Sequence, residues 1–197
     1  MLLSEAPHVL GTPGWLYELK FDGYRVIARF GDGACMLWTR NGADCTRWFP
    51  EVVAGLEQVL GGPHVVDGEV CVLDELGRSD FNRLQDRARR RKWVEGLPVT
   101  YCVFDLLVLD GLPLLDKQLL DRKVLLASLM RSTPQAVLVV GHFEDGARQL
   151  FDEAVHQLRL EGLVAKRAVS VYRPGTRSRD WVKVKRKGAI PPERFKR

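Results

Sequence analysis

Glu18-Leu19-Lys20-Phe21-Asp22-Gly23-Tyr24-Arg25 sets a lysine at the end of a hydrophobic run, beside an Asp-Gly turn signal and ahead of an arginine. Residues 15–19 before it and 25–30 after it alternate or are β-rich, as are residues 34–39, and all three read as strands. Gly23, Gly31 and Gly33 punctuate them as turns. That pattern predicts antiparallel hairpins near the N-terminus rather than a βαβ unit. Gly23 also allows the backbone a conformation that a side chain would obstruct.

Working outward, further strands are predicted over residues 69–73, 100–109, 137–142, 163–166 and 181–185. Helical spacing is clearest at Ala147, Leu150, Phe151, Ala154, Val155 and Leu158, which recur at intervals of three and four. Pro50 opens a second helix with Val52, Val53, Leu56, Val59 and Leu60 facing the core. Ser79 is the expected N-cap of a third over residues 81–92, and residues 121–130 offer a fourth. Strands interleaved with scattered helices predict an α+β fold, two antiparallel β-sheets flanked by helices with the site between them. Residues 187–197 are polar, hold Gly188, Pro191 and Pro192, and read as a tail or linker after a domain spanning residues 1–186.

Composition narrows the class. The 197 residues are 46% hydrophobic, enough for a real core. Lys and Arg number 30 against 25 Asp and Glu, a net charge of +5 that favours a polyanionic partner without establishing one. Cys35, Cys45, Cys71 and Cys102 are far apart with no CxxC spacing, which points to reduced thiols rather than a zinc site or a disulfide framework. The four histidines show no metal spacing. Glu5 and Pro7 interrupt the start, and no run of about eighteen apolar residues occurs, so neither a secretion signal nor a membrane span is expected.

Polar clusters interrupt this pattern in a definite order. A lysine attacks phosphorus only as the neutral amine, so its reference pKa near ~10.4 must fall through desolvation or neighbouring positive charge. Lys183 and Lys185 alternate with Val182 and Val184, so both ammonium groups share one strand face and could clamp a phosphate; alone, the pattern is an ordinary solvated face. Asp67-Gly68-Glu69 and Glu161-Gly162 read singly as a β-turn and a helix end, and Phe104-Asp105 lies in a run apolar enough to be plain core. Arg40-Asn41-Gly42 reads as a hairpin turn with an exposed arginine.

As a set, these clusters resemble the covalent nucleotidyltransferases, and specifically ATP-dependent DNA ligases of the bacterial end-joining type. Lys20 to Arg25 fits KxDGxR completely, Glu69 fits DGE, Glu161 to Lys166 fits EGxVxK, and Trp181 to Lys185 fits WxKxK. The stretches 39–51, 81–87 and 172–175 share the likeness, so it covers nearly the whole chain. The resemblance implies an adenylation-domain fold in which Lys20 carries AMP taken from ATP. It further implies that Glu18 contacts the adenine amino group, Phe104 stacks on the purine, and Arg25, Lys166, Lys183 and Lys185 face phosphate. Glu69 and Glu161 would serve ribose and Mg²⁺ or Mn²⁺, and Arg40 would meet the phosphate of a DNA end, where its fork suits two oxygens. Nicked or broken duplex DNA is the implied partner, in a bacterial cytoplasm and at the nucleoid. Full ligases continue into an OB-fold domain after WxKxK; no such segment follows here, so that domain or other repair proteins are expected as further partners. An RNA ligase, a capping-type nucleotidyltransferase and a non-catalytic DNA-end binding module are the alternatives.

Overall fold

The computed structural model describes residues 1–132 and 135–189. The chain divides into two compact units, the first made of Met1–Lys20 together with the chain from Gly141 onward, the second of Phe21–Val140. The dividing line falls directly after Lys20.

The first unit holds a four-stranded sheet in the order β1-β10-β9-β2, built from β1 (Leu2–Ser4), β2 (Trp15–Leu19), β9 (Gly162–Arg167) and β10 (Arg177–Lys185). β9 pairs antiparallel with both β2 and β10, whereas β1 runs parallel to β10. One face of this sheet is apolar. Tyr17, Leu163 and Ala165 pack there with Ala147 and Val155, and with the partly buried Leu19, Leu150, Phe151 and Val184. The helical partner begins as one α-turn, α4 (Ala147–Gln149), and widens into a π-helix over Leu150–Val155. The apolar spacing thus predicted the helix and its buried face, while the widening has no signature in that spacing.

The second unit holds a six-stranded sheet, β4-β3-β5-β6-β7 with β8 also on β6. Its strands are β3 (Tyr24–Phe30), β4 (Met36–Thr39), β5 (His64–Cys71), β6 (Thr100–Leu109), β7 (Leu112–Pro113) and β8 (Val137–Val139). α1 (Pro50–Leu56), α2 (Phe81–Arg90) and α3 (Leu119–Leu129) contribute Val52, Leu56, Leu84 and Leu126 to a core shared with Val26, Phe30, Val66, Tyr101 and Leu106.

The α+β class stands, with several corrections. Both sheets are mixed, because β1–β10 and β6–β8 are parallel pairs; a long connection lets a strand return in either direction. β2 and β3 form no hairpin, since β2 pairs with β9 and β3 with β4 and β5. Gly23 is therefore no hairpin turn. A Cβ there would lie 2.1 Å from the Val70 carbonyl oxygen, so the glycine serves close backbone approach. Asp67-Gly68-Glu69 is no turn either and runs through the middle of β5, with Gly68 accommodating the Tyr101 ring. Asp80, not Ser79, caps α2 by accepting from the Arg83 amide. Of the expected tail, residues 187–189 form a turn, and residues 190–197 lie outside the described residues.

Candidate active site

In the first unit, strand register decides which side chains meet. β2, β9 and β10 align Glu18 with Val164 and Lys183, Leu16 with Lys166 and Trp181, and Gly162 with Lys185. The Lys20 amide continues the ladder by donating to the Gly162 carbonyl at 2.9 Å. Residues paired across a ladder point to the same side, so Glu18, Lys20, Lys166, Trp181, Lys183 and Lys185 share the face opposite the apolar core.

On that face Lys20 Nζ lies 2.6 Å from Glu161 Oε2, and Lys185 Nζ lies 3.2 Å from Glu161 Oε1. One nearly buried carboxylate thus holds two ammonium groups. Gly162 beside it approaches β10 closely, and a Cβ there would meet the Val184 carbonyl oxygen at 2.2 Å. Lys183 pairs with Glu5 at 2.5 Å, and that hydrogen bond holds the Glu5 carboxyl below its ordinary range. Glu18 and Lys166, both almost fully buried, pair with each other at 2.7 Å. The Lys166 ammonium also sits 4.2 Å above the ring of Trp181. A buried charge needs such partners.

The second unit holds other residues named from the sequence. Arg25 grips Asp67 through two bonds, Nε to Oδ1 at 3.0 Å and Nη2 to Oδ2 at 2.5 Å, and its guanidinium lies 5.4 Å from the centre of the Phe104 ring. Glu69, paired with Arg25 across β3 and β5, accepts from the Gly23 amide at 3.1 Å, and the Asp22 amide donates to Ser79 Oγ. The segment after Lys20 is thereby pinned by a carboxylate and a hydroxyl. Arg40 is exposed in a tight turn, its amide bonded to the Arg25 carbonyl at 3.0 Å.

Sequence reasoning placed ten residues at the site, and the fold brings Lys20, Glu161 and Lys185 into one contact group and Glu18 with Lys166 into another. Glu69, Arg25 and Phe104 belong to the other unit. Asp67 was missed as the partner of Arg25, although an aspartate two positions from Glu69 on one strand shares its face. Arg122 and Lys123 were missed too. Arg122 makes two 2.8 Å bonds to Asp105, both side chains fully buried, while Lys123 donates to the Val140 carbonyl at 2.7 Å and the Phe104 carbonyl at 3.5 Å. Two adjacent cations in a helix rich in leucine were the available signal.

Among the described residues no three His, Cys, Asp or Glu side chains cluster as a metal cage. Mg²⁺ needs none, since it takes one or two carboxylates with waters and substrate phosphates.

Comparison with known proteins places the chain in a family. The multifunctional non-homologous end joining DNA repair protein LigD of Mycobacterium tuberculosis is 38% identical over 173 residues, 87% of this chain and 21% of that protein. The SPbeta prophage-derived DNA ligase-like protein LigB of Bacillus subtilis is 33% identical over 184 residues, 93% of this chain and 66% of that one. A mycobacterial DNA ligase D solved with ATP and MES superposes with a TM-score of 0.78 at 32% identity, covering 93% of this chain and 58% of that one. The chain thus spans about a fifth of the length of the LigD protein it matches. Residues 3–185, which include every strand that carries the site, match the family described as the ATP dependent DNA ligase domain, and the chain belongs to that family.

Proposed function

We propose that this chain is the adenylating part of an ATP-dependent DNA ligase. Lys20 Nζ gives up its proton and attacks the α-phosphorus of ATP; a nitrogen–phosphorus bond forms, the bond to the bridging oxygen breaks, and pyrophosphate leaves. AMP then passes from Lys20 to a DNA 5′-phosphate, and a 3′-hydroxyl displaces it as the strand is sealed. The observation that carries the reading is the Lys20–Glu161–Lys185 group: a lysine at a strand end, held at 2.6 Å by a carboxylate that a second lysine also contacts. Glu161 positions the amine and receives its proton, while Lys185 and Lys183 receive the phosphate charge as it shifts toward the leaving group. Arg25 faces phosphate, and Phe104 offers a flat face to adenine. Glu18 contacts the adenine amino group and Lys166 faces phosphate, and the two are held by their own 2.7 Å pair.

Glu69 and Glu161 would hold Mg²⁺ or Mn²⁺, which when bound neutralises charge on the phosphates. Arg40 meets the phosphate at the DNA end. Residues 1–186 work as the adenylation domain and residues 187–197 as the lead to an OB-fold domain supplied in cis or by a partner. The setting is the bacterial cytoplasm, at the nucleoid; no described helix is long and apolar enough to cross a membrane.

Intact-mass measurement after incubation with ATP and Mg²⁺ tests the reading. A gain of one AMP that vanishes in Lys20→Ala is expected, and an AMP adduct that persists in Lys20→Ala overturns the assignment.

A further inference from the structure

Four consecutive cations, Arg89, Arg90, Arg91 and Lys92, end α2 and lead into Trp93, and all five side chains are exposed. The neighbouring Arg87 has a different fate. It is fully buried, bonded to the Trp48 carbonyl and to Glu51, and so belongs to the core. The exposed four have looser contacts: Asp86 approaches Arg89 at 3.6 Å, and Arg91 lies over the Trp48 ring at 5.4 Å. The helix dipole explains basic residues inside the last turn, but its effect fades there, and Arg91 and Lys92 follow the helix end at Arg90. Trp93, 54% exposed, gains nothing from a merely solvated face.

The position of this tip is informative. α2 begins beside the catalytic motif, since Ser79 Oγ accepts from the Asp22 amide and Asp80 caps the helix. Its 10 residues carry the basic end about 15 Å from that point. A second path leads to the same place. Arg40, whose amide is bonded to Arg25, starts a segment that passes exposed Arg47 and reaches Trp48, against which Arg91 packs. Arg40, Arg47 and the α2 tip therefore lie in turn along one path that begins next to the motif arginine.

We propose that this path is a backbone contact for duplex DNA, with Arg89, Arg90, Arg91 and Lys92 gripping phosphates about four base pairs from the nick, given a rise of about 3.4 Å per base pair. The assignment rests on the ligase reading and extends it, because it concerns how much flanking duplex the protein holds. Charge complementarity selects the partner: a row of exposed cations with an exposed indole fits a phosphate backbone.

The test uses the full chain and two variants, R89Q/R90Q/K92Q, which leaves Arg91 on Trp48, and R89K/R90K/K92R, which keeps the charge. Binding to nicked duplex is measured across a salt series, and self-adenylation is followed by intact mass. The neutralised variant should adenylate like the parent while its plot of log affinity against log salt becomes shallower by about 2 to 3, with the charge-conserving variant unchanged. Trimming either duplex arm in turn to about three base pairs should, for one arm, erase the difference between parent and variant. An unaltered salt slope in the neutralised variant overturns the proposal and leaves the tip to another partner, such as an acidic protein. A parent chain that neither adenylates nor binds DNA would instead sink the ligase reading itself.

Discussion

Glu161 holds Lys20 and Lys185 at once through its two oxygens, and the proposed adenylation would turn on it. Glu161→Gln keeps the shape and removes the charge, so the rate of lysyl-AMP formation should fall by about 100-fold, the scale of losing one charge-stabilising group. Single-turnover adenylation followed by mass reads this directly, and a rate within about threefold of the parent would mean that Glu161 is structural. The thiols behave in the opposite way, as inert residues. Burial pushes Cys35 and Cys45 up to about 12 from an ordinary 9.0, and Cys71 is raised further by its hydrogen bond with Cys102 and by burial. Since the folded values are raised, the stability they contribute is fully present below pH 9.0 and is lost as pH rises through about 12. At pH 8 all four thiols should resist alkylation in the native protein and react only after denaturation, which mass counting of iodoacetamide adducts checks.

At the scale of elements, β6 is held against α3 by ionic contacts on consecutive residues. Arg122 grips the Asp105 side chain, and Lys123 reaches the backbone carbonyl of Phe104. Two neighbouring cations thus fix two neighbouring strand residues, including the aromatic assigned to adenine. Arg122→Met removes the opposite charge from the buried Asp105 and should cost about 3–5 kcal/mol in urea unfolding. Adding Asp105→Asn to that variant should recover part of the loss. Equal stability of the single variant and the parent would show the pair to be energetically neutral. β5 is tied in the same manner, since Asp67 is consumed by Arg25 and Glu69 by Gly23. Acidic residues two apart on one strand therefore organise the motif before any substrate arrives.

For the whole molecule, the decisive feature is that one unit is continuous in sequence and the other is not. Phe21–Val140 contains its own core from Val26 to Val137, with strands, helices and connections all local to it. A segment of that size with such a core should fold by itself, and residues 21–140 expressed alone should give a cooperative unfolding transition and slow amide exchange in β5 and β6. A molten spectrum from that segment would show that it depends on the rest of the chain. The other unit joins β2 from the N-terminal part to β9, and β1 to β10, so its sheet closes only after the intervening segment has been made. Long-range closure of that kind is slow.

The residue types and their order carried the family resemblance: a lysine before Asp-Gly, alternating lysines and valines, and glutamates beside glycines. Alternation along β10 also determined that Lys183 and Lys185 share a face, because strand periodicity is local. Strand partners are a different matter. Nothing near residues 15–30 reveals that β2 leaves for β9 while β3 turns to β5, since pairing is chosen by burial and register between segments distant in sequence. The same holds for counter-ions. Glu18 with Lys166, Arg25 with Asp67, and Arg122 with Asp105 are pairs that exist because burial leaves each charge in need of its opposite, and only the tertiary fold decides which opposite is within reach.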